Sequence, residues 1–184
     1  MKNAIKLLKE HNLLKTIDDE LDIYLEVPHV AYVEVKRADL KAILFTNVVD
    51  KKTGKKFKEP VLMNVFCNEK AVKLFIGDGD KIGAEIQSLL KMKPPTSLGE
   101  KISTFTKLFA LKNTIPKKSK GRGECQQIIK TGSDVKLSDL PVLTTWEQDG
   151  GPFITMGQVY TQSLNGQMKN LGMYRLQVYD DNTL

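Results

Sequence analysis

A chain of 184 residues, 41% hydrophobic and 27% charged, suits one domain, or one small domain and part of a second, and is not compositionally disordered. No apolar run reaches transmembrane length, and MKNAIKLLKEHNLLK lacks the unbroken apolar stretch and small-residue cleavage site of a secretory signal, so the expected location is the cytoplasm, at most peripheral to the inner membrane. The net charge of +6 invites a nucleic-acid partner, but from Val135 onward three Lys/Arg face five acids, and the basic runs KKTGKKFK (51–58) and KNTIPKKSKGR (112–122) carry no interleaved aromatics to stack bases; they read as solvated loops.

Residues 2–15 place Ile5, Leu8 and Leu14 near helical spacing among lysines and glutamates, which predicts an amphipathic helix. Pro28 can open a second helix over 28–38. The apolar run 42–49 predicts a buried strand. With Thr53-Gly54 as a turn and 60–66 as a second strand, 42–66 reads as a hairpin with an exposed tip. Asn68 can cap a helix through Ile76 that Gly77 ends, and Asp78 or Asp80 can cap another reaching about Lys91. Ser97 and Glu100 form a capping-box pattern for a helix over 98–110. The basic connector 112–123 marks a domain boundary. Residues 124–130 predict a strand, Ser138 to Pro141 a turn, and Asp149-Gly150-Gly151-Pro152 a tighter one. Phe153–Thr161 and Asn170–Tyr179 alternate as strands about an Asn165-Gly166 hairpin turn, and Gly157 inside the first implies a bulge or the close approach of a ligand. The sheet reads as unfinished where the chain stops.

The familiar catalytic signatures are missing. There is no Walker loop, dinucleotide glycine fingerprint, Ser-His-Asp arrangement or paired CxxC, and Gly77-Asp78-Gly79-Asp80 is helix punctuation rather than a phosphate or calcium loop. Cys67 and Cys125 read as reduced, inert thiols, and His11 and His29 as helix-surface residues.

Chemistry concentrates in the second strand of the C-terminal hairpin. Asn170 and Arg175 lie five residues apart, so strict alternation sends them to opposite faces unless a bend near Gly172 intervenes. An arginine in an otherwise apolar strand has two readings of equal weight. It is an anion-binding fork for carboxylate or phosphate, or an edge-strand arginine paired with Glu147 or a nearby aspartate.

The runs DLPVLTTWEQDGGPFITMGQVYTQ and NLGMYRLQVYDDNTL strongly resemble the UbiD family of prenylated-flavin-dependent decarboxylases, and LDIYLEVPHVAYVEVKRADLKAILFTNVV with PVLMNVFCNEKAVKLFIG resembles that family's N-terminal domain. The resemblance implies an α+β fold: an N-terminal α/β domain over 1–115, then, over 116–184, the beginning of a split β-barrel flavin-binding domain. It implies prenylated FMN as cofactor, with Mn2+ or another divalent metal and K+ nearby. Asn170 falls on the family's metal-binding asparagine. Met173, Tyr174 and Arg175 fall on its cofactor-contacting segment and Thr155 on a strand position lining the flavin. Arg175 also falls on the family's catalytic arginine, which works between two catalytic carboxylates and grips the substrate carboxylate. The implied reaction is non-oxidative decarboxylation of an aromatic or α,β-unsaturated acid, for instance a 4-hydroxybenzoate-type precursor in ubiquinone or menaquinone biosynthesis. The implied partners are further copies of the chain in a homo-oligomer and a flavin prenyltransferase supplying the cofactor, with no nucleic acid. The family's remaining metal ligands and acids lie beyond position 184, so this stretch alone is expected to be inactive. The alternatives are a non-catalytic flavin- or partner-binding module and, last, a basic nucleic-acid binder.

Overall fold

The computed structural model describes residues 1–91 and 120–184, together with Gly99, Thr104, Phe105 and Phe109. They fall into two compact units, residues 1–76 with 131–184 and residues 77–130. In the first unit helix α1 (Lys2–Glu10) is shorter than its apolar stripe predicts. Asn12 takes a φ of 54°, and Leu14 opens strand β1 (Leu14–Ile17) instead of extending the helix. The competing force is tertiary: β1 pairs in parallel with β3 (Ala42–Phe45), and the Leu13 carbonyl accepts from the Ala42 N–H. After β2 (Leu21–Asp22), helix α2 (Glu26–Glu34) starts two residues before the predicted position, with Pro28 inside its first turn, where a missing N–H costs nothing.

The expected single strand over 42–49 breaks at Thr46-Asn47 into β3 and β4 (Val48–Asp50). Strand β3 is central to one sheet, parallel to β1 and antiparallel to β6 (Val61–Met63). Strand β4 is central to another, parallel to β2 and antiparallel to β5 (Lys55–Lys56). The predicted 42–66 hairpin therefore exists but spans two short sheets. All four β3 residues are buried, as befits a strand covered on both faces. Ile43 and Phe45 pack with Val27 and Ala31 of α2, and Ala42 packs with Leu8 of α1 and Ala71 of α3 (Glu69–Phe75). Helices thus cover both faces of the β1-β3-β6 sheet. Asn68 caps α3 as expected, accepting from the Ala71 N–H at 2.9 Å.

The lysine-rich tip is largely exposed, as expected, and several of its lysines are also paired. Lys51 pairs with Glu26 at 2.6 Å, Lys56 with Glu20 at 2.6 Å and Lys55 with Asp139 at 2.8 Å. The last pair ties the tip to the returning chain. There Thr144 is buried, takes its N–H to the Ile23 carbonyl and accepts the Leu25 N–H, and Leu143 packs on the α2-facing core. Strands β7 (Phe153–Gln162) and β8 (Lys169–Gln177) then form an antiparallel hairpin. It is two-stranded, and no closed barrel is present among the described residues.

In the second unit, helix α4 (Gly79–Leu90) is capped by Asp78, which accepts from the Asp80 and Lys81 N–H groups. The strand expected over 124–130 is absent: Glu124–Gln126 is a single 3-10 turn, and Ile128 and Ile129 are exposed. A strand needs a neighbour to take up its backbone groups, and no other strand lies among the described residues of this unit. The helix expected over 98–110 and most of the connector 112–123 lie outside the described residues.

Candidate functional site

The C-terminal hairpin starts from the Asp149–Pro152 turn, which is fastened to the end of β8 at successive points. The Val178 N–H donates to the Pro152 carbonyl, Gln177 Nε2 to the Gly150 carbonyl at 2.8 Å, and Arg175 Nη2 to Asp149 Oδ2 at 2.8 Å. Gln177 and Arg175 are two apart on β8 and so reach the turn from one face. Asp149 is itself fixed, because its Oδ2 accepts the Trp146 N–H. Beneath the guanidinium lies the Phe153 ring, with Arg175 Cζ 3.8 Å from its centroid. Of the two readings of Arg175, the paired arginine is realised, with Asp149 rather than Glu147 as partner.

Opposite Arg175 the ladder slips. Ile154 faces Leu176 and Gly157 faces Tyr174, so Thr155 and Met156 together occupy the place across from Arg175. This is a β-bulge, one extra residue on β7. The bend predicted near Gly172 is thus on the other strand; Gly172 stays in register opposite Val159. A side chain at Gly157 would be tightly placed, its Cβ 3.0 Å from Leu176 Cδ1 and 3.2 Å from the Tyr174 carbonyl oxygen. Of the two expectations at Gly157, the bulge is present.

Because β8 itself is unbroken, Asn170 and Arg175 remain on opposite faces. Met173 and Arg175 share the face that carries Phe153. Asn170 and Tyr174 share the other, where Asn170 Nδ2 donates to the Tyr174 hydroxyl at 3.4 Å. Thr155 lies in the bulge and, with Met156, lines a cleft of about 600 Å³ whose far wall includes Met63, Phe66 and Cys67. Burial pushes the Cys67 thiol above its ordinary value. Asn170, Met173, Tyr174 and Arg175 do not line this cleft. Among the described residues no group of three or more His, Cys, Asp or Glu side chains gathers to hold a metal ion. Asn170 offers a single neutral carbonyl oxygen, too little for a hard divalent cation that takes six or more oxygens.

The sequence reading left Asp149 as a turn residue and Phe153 as an ordinary strand position. The available signal was the turn's place immediately before the strand that pairs with the arginine strand.

The family comparison agrees with this layout. Residues 5–90 match the 3-octaprenyl-4-hydroxybenzoate carboxy-lyase N-terminal domain, and residues 117–184 match that carboxy-lyase's Rift-related domain. The chain belongs to the UbiD family. It is 46% identical, over its whole length, to 30% of an uncharacterized protein of Helicobacter pylori, and 37% identical over 98% of its length to 36% of one from Aquifex aeolicus. Among solved structures it resembles the vanillic acid decarboxylase of Sedimentibacter hydroxybenzoicus in open form (TM-score 0.61, 20% identity, 98% of this chain and 34% of that one). It also resembles apo 3,4-dihydroxybenzoic acid decarboxylase of Klebsiella pneumoniae (0.66, 20%, 98% and 35%). A third likeness is to the UbiD-class enzyme HmfF of Pelotomaculum thermopropionicum in complex with FMN (0.60, 20%, 98% and 35%). At this identity the structural likeness speaks for the fold. The chain spans about a third of the length of the proteins it matches.

Proposed function

We propose that the protein carrying this chain is a UbiD-type carboxy-lyase that removes the carboxylate of an aromatic or α,β-unsaturated acid non-oxidatively. Residues 1–115 form its N-terminal α/β domain, and residues 116–184 supply the first strands of a split β-barrel that holds prenylated FMN. Thr155, Met173, Tyr174 and Arg175 contact the cofactor. Asn170 gives one oxygen to Mn2+ or another divalent metal, with K+ nearby, and the remaining donors come from outside these 184 residues. The stretch alone is therefore inactive, and the whole protein works as a homo-oligomer supplied by a flavin prenyltransferase.

The observation that carries this reading is Arg175. It sits across from a bulge, a kind of feature frequent beside active sites, in the family-matching hairpin. Its guanidinium carbon lies over the Phe153 ring, its side chain is 46% exposed, and only Nη2 is engaged among the described residues. The remaining donors suit a carboxylate bidentately. In kind the side chains suit a flavin mononucleotide, with Arg175 for anionic oxygen and Met173 for apolar ring surface on one face of β8 and Tyr174 and Asn170 on the other. The flavin, when bound, supplies the electron sink for carbon–carbon cleavage. Arg175 binds the carboxylate and orients its carbon–carbon bond for cleavage.

The test is carbon dioxide release by the full-length protein, co-expressed with a flavin prenyltransferase and offered 4-hydroxybenzoate, vanillate, 3,4-dihydroxybenzoate and cinnamate. Turnover of at least one acid is expected, with Arg175→Ala inactive yet folded. Cofactor-loaded protein that turns over none of them, or an Arg175→Ala variant with full activity, refutes the reading.

A further inference from the structure

We infer that Leu25 is a strained joint that holds the Leu143-Thr144 strap to the N-terminal sheets, so that the strap, and with it the base of the β7–β8 hairpin, undocks before those sheets unfold. Leu25 precedes α2 with φ 65° and ψ −33°, and the Glu26 N–H donates to the Tyr24 carbonyl, two residues back, at 2.8 Å. This is close to the left-handed γ-turn, a rare and strained form for a residue with a side chain. Such a conformation persists only where its neighbours over-determine it. The strap supplies the decisive ones. The Leu25 N–H donates to the Thr144 carbonyl at 3.1 Å, the Thr144 N–H donates to the Ile23 carbonyl at 3.2 Å, and Thr144 is buried. Thr144 thereby pairs in parallel with Tyr24. From the other side, Asp22 Oδ1 accepts the Tyr24 N–H at 3.1 Å, and the Glu26 carboxylate accepts the Asp22 N–H at 2.8 Å.

The strap faces two ways. One residue before Thr144, the Leu143 carbonyl accepts the Phe153 N–H at 3.0 Å, in an antiparallel bridge to the first residue of β7. The hairpin base is thus linked to the N-terminal sheets through two consecutive residues, and the joint on their far side is strained. Docking the strap requires the Leu25 N–H to point at Thr144, which Leu25 achieves at positive φ. When the strap lifts, Leu25 is released to negative φ. The strain therefore opposes docking of the strap and not pairing of the buried strand β3, which none of these bonds reaches. Opening of the strap then takes less free energy than global unfolding. None of this depends on the reaction proposed for the whole protein.

The experiment is amide hydrogen exchange of the full-length protein, resolved by mass spectrometry of its peptides, unaltered and as Leu25→Gly, Leu25→Ala and Leu25→Pro. In the unaltered protein the Thr144 and Phe153 amides are expected to exchange faster than those of β3. Glycine and alanine both remove the leucine side chain, and only glycine takes positive φ freely. The Thr144 and Phe153 amides should therefore exchange about fivefold more slowly in Leu25→Gly than in Leu25→Ala, with the β3 amides alike in the two. Proline fixes φ near about −65° and removes the N–H, so Leu25→Pro should speed exchange at Thr144 and Phe153 about tenfold or more and leave β3 protected. If Leu25→Pro does not fold, the glycine–alanine pair decides alone. Equal exchange at Thr144 and Phe153 in that pair, or an equal difference in β3, overturns the joint. So does an unaltered protein in which Thr144 and Phe153 open only together with β3.

Discussion

Arg175 separates charge from shape. A lysine in its place keeps a cation near Asp149, but it has neither a flat face for Phe153 nor a fork for a carboxylate. Arg175→Lys is therefore expected to leave the urea midpoint nearly unchanged while lowering kcat/KM about a hundredfold, since a charge without geometry positions poorly. A variant with near-native kcat/KM shows that charge alone suffices. Asn68 plays a comparable double part in the fold. Its oxygen caps α3 through the Ala71 N–H, and its amide donates to the Leu40 carbonyl at 2.7 Å. Asn68→Ala removes both, and denaturant unfolding should register a loss of about 2 kcal/mol, the upper end of the range for a cap. A loss below about 0.5 kcal/mol would mean that water replaces both partners.

The β7–β8 hairpin is the element on which the site depends, and its weak point is Gly157. The carbonyl of Tyr174 is backbone, so a Cβ 3.2 Å from it requires the hairpin backbone to give by a few tenths of an ångström. Gly157→Ala should cost about 1–3 kcal/mol by overpacking and speed hydrogen exchange of the hairpin amides, leaving those of β1 and β3 protected. Unchanged exchange in β7 and β8 would show that the bulge adjusts freely. This element was also the most legible in the sequence, because two alternating runs about Asn165-Gly166 admit few other arrangements. Its bulge was signalled only as a choice at Gly157, and its location opposite Arg175 was not. Period-two alternation reports faces, whereas register depends on the partner strand. The same limit explains 42–49. Four apolar residues in a row announced burial, but the break at Thr46-Asn47 answers to β1 and β2, which are distant in sequence. Residues 124–130 failed in the opposite sense, since Ile128-Ile129 suggested a strand and no strand to pair with lies among the described residues of that unit. Asn170 and Arg175 were legible as residues, and their opposite faces followed from counting. The Asp149 pairing could only be left open, because a salt bridge across a turn leaves no periodic trace.

At the scale of the whole molecule, several of the basic residues are engaged in internal pairs. Lys15 and Arg37 both meet Glu34, and Lys51 meets Glu26, so α2 is tied to β1 and to the lysine-rich tip. The hydrogen bond from Lys51 and then that from the Asp22 N–H hold the Glu26 carboxyl below its ordinary 4.5; the hydrogen bond from Lys15 foremost does the same for Glu34. A carboxylate whose folded value is depressed binds protons more weakly folded than unfolded. Its contribution is complete above 4.5 and is lost as pH falls through the lower folded value. Lys51 runs the other way. Its value is raised above 10.5 chiefly by the Glu26 hydrogen bond, so its share is present below 10.5 and is lost as pH rises through the raised value. Stability should therefore be flat with respect to these pairs across neutral pH and fall on acidification. The Lys51–Glu26 pair is partly exposed on both sides, at 49% and 41%, so solvent screening keeps its part small; Glu34, at 18%, should dominate. Urea midpoints followed from about pH 6 to about pH 3 test this with Glu34→Gln, which removes the titrating group. The unaltered protein should lose stability more steeply over that range than the variant, and the two curves should converge at the acid end. Parallel curves would mean that the Glu34 pairs contribute nothing, and the search for acid-sensitive contacts would move to Asp181, whose carboxyl is held low by hydrogen bonds from Ser138 and closes the end of the chain onto residues 137–138.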